Sequence, residues 1–567
     1  MTEFLKQKWY TMSRLARWSL LAAVATCLGL AAAYAVDMDG DGLSAEQEAQ
    51  LGTSDSLLDS DGDSVGDYEE TMIFGTDPAS PFDAPGRRMK FDGGGSHSIC
   101  LADDNLAWSW GKNDNGQAGI GSSASVIPAA VRVHGPGGAG FFSGMAAIAG
   151  GTAHSLGVRN DGTVWAWGNN SNGRLGDNTT TERGVPTQVH GTNNLGYLTG
   201  IAAVAAGDTY SLCLGTNGYV FAWGRNDKGQ LGDNTTTDRY TPVRVLSTTN
   251  TSSGLSGIVA IAVGKLHNLA LNSAGDVYAW GDNSKGQVGD NSTSTRNVPV
   301  RVHGAGDVGY LGGVMAVAAG HMHSLAVKVD GTVWAWGEND KGQLGNGTTT
   351  QQKTPAQVHG TNGVGYLTNI LAAAAGDGFS LALDIDGNVW AWGDGANGKL
   401  GNNATAVKTT PVQVHGTNNV GYLPGVVAIA AGTLHGLAVD EDGTIYAWGR
   451  NNGNQLGDGT TTDRHTPVVV NLTIDSDGDS MPDDWEYQYF GNLSKTGSGD
   501  ADNDGLTDLQ EYQHGSNPKN ADTDGDGMPD GWECNTVWIQ TTHRMHRRTL
   551  TTTVSQICRN TSSEQIL

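Results

Sequence analysis

Asp37, Asp39 and Asp41 stand at alternate positions of a short acidic stretch, and Glu48 follows at its twelfth position. The arrangement recurs at Asp59, Asp61, Asp63, Asp67 and Glu70, and again at Asp475, Asp477, Asp479, Asp483 and Glu486. Two further copies comprise Asp500, Asp502, Asp504, Asp508 and Glu511, then Asp522, Asp524, Asp526, Asp530 and Glu533. Acids at positions 1, 3 and 5 of a tight turn bring three carboxylates around one point. Position 7 adds a backbone carbonyl, and an acid at position 12 closes the shell with two oxygens. Calcium takes six to eight such hard ligands, so the expected cofactor is structural calcium. In the first copy Ala45 holds position 9, where water would have to complete the shell. The alternative reading is a solvated acidic linker that binds no metal. Clusters of like charge are expected to be loose without the ion and compact with it.

Between these acidic ends runs a repeat. Trp108-Ser109-Trp110-Gly111 returns as Trp165-Ala166-Trp167-Gly168, Phe221-Ala222-Trp223-Gly224 and Tyr278-Ala279-Trp280-Gly281. It returns again as Trp334-Ala335-Trp336-Gly337, Trp390-Ala391-Trp392-Gly393 and Tyr446-Ala447-Trp448-Gly449. Seven copies stand 56 or 57 residues apart, a period that signals a repeat architecture. Within one unit, Ile201 to Gly207 is a run of small apolar residues and Tyr210 to Leu214 a second run. Asn217-Gly218 is a hairpin turn signal. Tyr219 to Gly224 is the third run, and Thr241 to Val245 the fourth. Four short strands per unit, seven times, predict an all-β chain: a seven-bladed β-propeller over 88–472. The calcium-loop segments flanking it, with short helices, cover 36–85 (two loops) and 473–533 (three loops). The Ala and Val run suits a crowded inner strand. The paired aromatics, two apart and so on one face, suit packing between blades more than sugar stacking.

Two sets of side chains within the repeats invite a chemical reading. Histidines 97, 154, 267, 323 and 435 share one slot, but Tyr210 and Phe379 fill it in the other two units, which favours packing over metal ligation. The second set opens the long loops between units: His134, His190, His303, His359 and His415, each between Val and Gly. Tyr197, Tyr310, Tyr366 and Tyr422 follow in four of these loops, and Phe141-Phe142 in the first. These tyrosines either pin their own loops, which repeat proteins favour, or form a broken ring of recognition groups on one face. The set His134, His190, Tyr197, His303, Tyr310, His359, Tyr366, His415 and Tyr422 is therefore the candidate binding face. No nucleophile elbow, His-Glu-x-x-His or phosphate loop is present, and the chain is read as a non-enzyme.

Residues 1–35 read as an export signal. Lys6, Lys8, Arg14 and Arg17 precede an uncharged apolar run, and Ala33-Tyr34-Ala35 offers a cleavage site. An uncleaved anchor is the alternative. The expected location is extracellular, cell surface or periplasmic. With 59 acids against 33 bases the net charge is −26, which disfavours nucleic acid and anionic membranes as partners. Cys100 and Cys213 occupy one slot of units one and three, where buried thiols are expected. Pairing of Cys534 with Cys558 is left open by their spacing. Residues 534–567 break the acidic pattern and form an irregular tail.

Gly320 to Leu325, Asp330-Gly331, Val333 to Gly337 and Gly342 to Gly345 together resemble the regulator of chromosome condensation repeat. All seven units match it, and the resemblance implies a seven-bladed propeller. The acidic segments, with Leu51-Gly52-Thr53 and Phe74 to Pro78 beside them, resemble bacterial thrombospondin type 3 repeats, which implies structural calcium in a stiff linker. The leading functional expectation is an exported, calcium-stabilised interaction scaffold whose partner is an extracellular protein or glycan. Guanine-nucleotide exchange, for which the eukaryotic family is named, is one alternative, resting on fold analogy. A secreted polysaccharide-active enzyme is the other.

Overall fold

The computed structural model describes residues 90–102, 105–121, 124–247, 253–470, 479, 481–490, 494–514, 516–523 and 528–531. The chain divides into two units, 1–87 and 88–567, and all described residues belong to the second. The expected export segment, the first two acidic loops and the tail with Cys534 and Cys558 lie outside the described residues.

The propeller expectation is met: seven four-stranded antiparallel sheets follow one another along the chain. Blade one consists of β1 (Lys90–Gly93), β2 (His97–Leu101), β3 (Ala107–Lys112) and β4 (Val126–Arg132). The other blades span 145–188, 201–244, 258–301, 314–357, 370–413 and 426–469. Each sheet pairs its strands in chain order, so every connection is local. Strand polarity puts the inner-to-second turns and the third-to-outer loops at one end of each blade. The second-to-third hairpins and the blade-to-blade loops lie at the other.

Every outer strand carries a proline: Pro186, Pro242, Pro299, Pro355, Pro411 and Pro467 are buried in the middle of theirs, and Pro128 in blade one is exposed. A proline has no N–H to offer, so these prolines blunt seven open sheet edges against further strand pairing.

The cores lie between blades. Trp223 of blade three packs with Leu156, Val164 and Leu175 of blade two, and the same mixture recurs around the ring. The second aromatic of each Trp-x-Trp-Gly unit is fully buried in all seven blades. Its indole donates to a carbonyl of the preceding blade: Trp167 to Gln117, Trp223 to Arg174, Trp280 to Gln230, each within 3.0 Å. Trp110 donates to Gln455 at 2.9 Å, which joins blade one to blade seven. This side-chain bond helps to close the ring, and both terminal blades keep all four of their own strands.

The shared slot of histidines forms a second belt. His323 Nε2 lies 2.8 Å from the Ser380 hydroxyl of the next blade, which donates to the Gln343 carbonyl at 2.9 Å. Because the serine proton is committed to that carbonyl, the imidazole must donate, leaving Nδ1 as a bare lone pair. His97, His154, His267 and His435 repeat this contact with Ser155, Ser211, Ser324 and Ser98. The exceptions are matched pairs. Tyr210 faces Asn268 and donates to it at 2.9 Å, while apolar Phe379 faces Gly436, the one glycine in the serine slot. Each histidine ring also lies on a glycine; a Cβ at Gly320 would stand 2.3 Å from the His323 ring.

Around the axis, seven backbone hydrogen bonds link the turns that follow the inner strands. They run from Gly95 N to Gly151 O (3.1 Å) through each blade in turn to Thr433 N and Gly94 O (3.0 Å). Beyond the propeller, α1 (Asp483–Phe490) and α2 (Asp508–His514) are short helices of the acidic segment. No helix among the described residues is long and apolar enough to cross a membrane.

Candidate functional site

The blade-to-blade loops are built alike. His190 and Tyr197 form an isolated β-bridge, as do His303 with Tyr310, His359 with Tyr366, His415 with Tyr422 and His134 with Phe141. Between the bridged residues a short 3-10 turn reverses the chain, using left-handed backbone at Asn193, Gly306, Asn362 and Asn418. The four His–Tyr pairs meet edge to face at 5.7 Å between ring centres. His190 Nδ1 lies 2.6 Å from Asn194 Oδ1, and His415 bonds Asn419 and His303 bonds Asp307 at the same distance. The loop is thus locked by its own groups, as the pinning reading expects.

Locking does not cover the tyrosines, however. Tyr197, Tyr310, Tyr366 and Tyr422 are 55–57% exposed. Two residues before each sits an aliphatic side chain, Leu195, Val308, Val364 or Val420, at 75–79% exposure. The sequence signal for these tips is a Leu or Val within an otherwise polar Gly- and Asn-rich loop. The structure pairs each tyrosine with its own histidine; it keeps the loops apart, one per blade, and forms no common pocket from them. His134 stands apart, facing Phe141 at 6.3 Å, and burial lowers its basicity.

The axis holds a channel of about 340 Å³ lined by the small residues of the inner strands. Asp92 stands in its wall, in the slot filled by alanine in the other six blades. Burial pushes its carboxyl up to about 6, against the pull of hydrogen bonds from the Gly93 and Gly150 amides. At the mouth Asp208, Lys265, His321 and Asp377 occupy successive blades, and His321 Nδ1 lies 3.2 Å from Asp377. The belt histidines are held neutral by burial: His97 falls to about 4, and His267, His323 and His435 to about 3.

In the acidic segment, carboxylate oxygens of Asp500, Asp502 and Asp504 lie within 4.8 Å of one another. Glu511 is fully buried, and neither of its carboxylate oxygens has a hydrogen-bond partner. Burial first, then the charges of Asp502, Asp504, Asp508 and Asp530, push its carboxyl up to about 8. An isolated buried carboxylate is costly unless a cation neutralises it, and the donor set is hard oxygen throughout. The residues present therefore fit a calcium ion. Asp508 turns one oxygen to the Ala501 amide at 3.0 Å and leaves the other buried without a hydrogen-bond partner. Asp504 accepts from Gly531 N of the next acidic repeat at 2.7 Å, so consecutive repeats are physically joined. Asp530 is buried and accepts from the Thr523 amide and hydroxyl. Glu486 is buried as well. Asp479 accepts from the Met481 amide, and Asp522 receives the Asn520 side chain on its carbonyl. The side chain of Asp483, and Asp475, Asp477, Asp524, Asp526, Glu533 and the acids at 37–70, lie outside the described residues.

Residues 138–481 match the family model of the RCC1-like domain, and residues 90–117 that of the regulator of chromosome condensation (RCC1) repeat. The bacterial TSP3 repeat matches 37–53, 500–521 and 522–536. The ultraviolet-B receptor UVR8 of Arabidopsis thaliana is 30% identical over 398 residues, covering 69% of this chain and 84% of that protein. The human E3 ubiquitin-protein ligase HERC2 is 32% identical over 365 residues, 64% of this chain but 7% of that protein's length. Human WBSCR16 superposes with a TM-score of 0.54 at 25% identity over 65% of this chain and 95% of that one. Yeast RCC1 (Prp20) in its complex with Kap60 gives 0.53 at 21% identity, over 69% and 85% of the two chains, a likeness of fold. By its blades, its inter-blade tryptophans and these matches, the chain belongs to the RCC1-like domain family.

Proposed function

We propose that this chain is an exported interaction scaffold: a rigid propeller that captures a protein or glycan on its loops, carried by calcium-stabilised acidic segments. The observation that carries the reading is the ring of exposed Tyr and aliphatic tips. Four loops hold an apolar pair in water at the same position, locked from below by a histidine. Exposed apolar groups kept in fixed geometry lose little entropy on binding, and several copies on one rigid body add through avidity. Asp500, Asp502, Asp504 and Glu511 would hold the calcium, which supplies the positive charge that lets their carboxylates pack together. The TSP3 likeness supports an extracellular setting.

The likeness to yeast RCC1 is one of fold and gives no ground for exchange activity here. The ligase activity in the name of HERC2 concerns a protein of which this chain matches 7%. Neither is favoured by a specific group in the described residues. The test is capture from the native cell surface or medium by full-length protein, with and without a calcium chelator. Exchanging Tyr310, Tyr366 and Tyr422 for Ser should abolish capture and leave the thermal unfolding of the propeller unchanged. Capture that survives the triple exchange, or an exchange that melts the fold, would remove the loops from the reading.

A further inference from the structure

Blade three departs from its neighbours at one edge, and the departures converge. Its outer strand (Arg239–Arg244) ends on Arg244, whose side chain is exposed. In blade four the same slot is Arg301, which pairs with Asp276 and lies over the Tyr310 ring at 4.6 Å. Blade three has Tyr219 where blade four has Asp276, and Gly254 where blade four has Tyr310. The Arg244 guanidinium lies over Tyr219 at 4.4 Å instead, with Phe221 at 5.8 Å. Its methylenes cross Gly254, where a Cβ would stand 2.2 Å from Cδ. The chain offers 59 carboxylates for 33 cations, yet among the described residues Arg244 has no carboxylate partner.

A crevice of about 580 Å³ opens beside it, between this outer strand and the loop from blade two. Its apolar wall includes Leu195, Tyr197, Phe221 and Val243. That volume is ample for a side-chain cluster of a short peptide. Stacking uses the face of a guanidinium and leaves its N–H groups directed outward in the plane, the geometry that grips a carboxylate with two parallel hydrogen bonds. Pro242 denies the strand edge one N–H, so the occupant is held by side chains and not by added strand pairing.

From these groups we infer that the crevice is a docking site for an acidic peptide segment of a partner protein. An apolar side chain seats against Leu195 and Tyr197, and a neighbouring Asp or Glu carboxylate is held by Arg244. The inference rests on the scaffold reading but assigns it a specific place and partner chemistry. The aliphatic wall favours a peptide over a uronic-acid saccharide, which shares the carboxylate but offers hydroxyls to that wall.

The test is selection of random heptapeptides displayed on phage against the full-length protein in calcium buffer. The expected enrichment is an acid next to Leu, Ile or Phe. Affinity of the synthesised peptide should fall tenfold or more with Arg244→Gln and with Asp→Asn in the peptide. Arg244→Gln should keep the wild-type thermal unfolding, because the side chain is exposed; Leu195→Asp serves as a second variant that repels the peptide without touching Arg244. Enrichment without acids, no enrichment, or affinity indifferent to Arg244→Gln would overturn the inference. So would binding of oligogalacturonate that Arg244→Gln abolishes, which would make the crevice a saccharide site. Peptide binding lost in the tyrosine triple variant but kept in Arg244→Gln would leave the scaffold reading standing and sink this one.

Discussion

Acid should unfold this propeller at unusually mild pH. Five imidazoles of the inter-blade belt are buried and neutral, with basicity lowered to about 4 at His97, about 3 at His267, His323 and His435, and lowered also at His154. In the unfolded chain each protonates near its ordinary value of about 6.5. Below that pH the unfolded chain therefore binds up to five more protons than the native one, and stability falls as pH falls. Asp92 opposes this with one proton, because its carboxyl is raised in the native state to about 6. A net of about four protons corresponds to roughly 5–6 kcal/mol per pH unit. A domain of ordinary stability, about 5–15 kcal/mol, would lose it within one to three units below 6.5. The assay is urea unfolding followed by tryptophan fluorescence at pH 7.5, 6.5, 5.5 and 5.0, since the seven buried indoles report blade separation. The control copies blade six and seven: His323→Phe with Ser380→Gly reproduces the Phe379–Gly436 pair. That variant should lose one proton from the linkage, lowering the slope by about 1.4 kcal/mol per pH unit. Stability that stays flat between pH 7.5 and 5.0, or a slope that ignores the double exchange, would refute the belt argument.

Other consequences are more local. Trp336→Phe removes the indole donor to the Gln287 carbonyl at 2.9 Å and should cost about 1–3 kcal/mol in urea unfolding, without a change in secondary structure by circular dichroism. Gly320→Ala forces a methyl against the His323 ring and the Gly376 carbonyl, and should destabilise by about 1–3 kcal/mol or more, measured the same way. Calcium removal should loosen 479–531 while the propeller melts as before; the near-ultraviolet dichroism of Trp485 and Tyr512, whose rings lie 5.8 Å apart, reads the segment. Glu511 is raised to about 8, above its ordinary range near 4.5, so the ion-free segment is most stable below pH about 4.5 and loses that stability as pH rises through about 8. Glu511→Gln should abolish both this pH dependence and the response to calcium in the same signal.

The seven-fold repeat, its period and its strand pattern were legible in the residues, because each blade is folded by local hairpins whose turns and apolar alternation lie within 57 residues. The tryptophan units could be assigned to the joints between blades for the same reason: two aromatics on one strand face, in every unit, need a surface to bury them. The acidic repeats were legible from the spacing of their carboxylates alone, and the bacterial TSP3 repeat matches three of them. What no single blade could reveal was everything that acts across a joint. The histidine slot looked like a list of substitutions until the ring placed Tyr210 against Asn268 and Phe379 against Gly436, each exception answered by its neighbour 57 or 58 residues on. The loop tyrosines posed a choice between pinning and recognition, and the fold shows a lock and an exposed face within one loop: histidine and backbone hold it, while the ring and the aliphatic tip face water. Arg244 likewise acquires meaning only beside Tyr219, Gly254 and a loop from the preceding blade. Local spacing fixes strands and ligand sets because hydrogen bonds and coordination act over a few residues. Exposure, and the loss of a partner, depend on chain segments that only closure of the ring brings together.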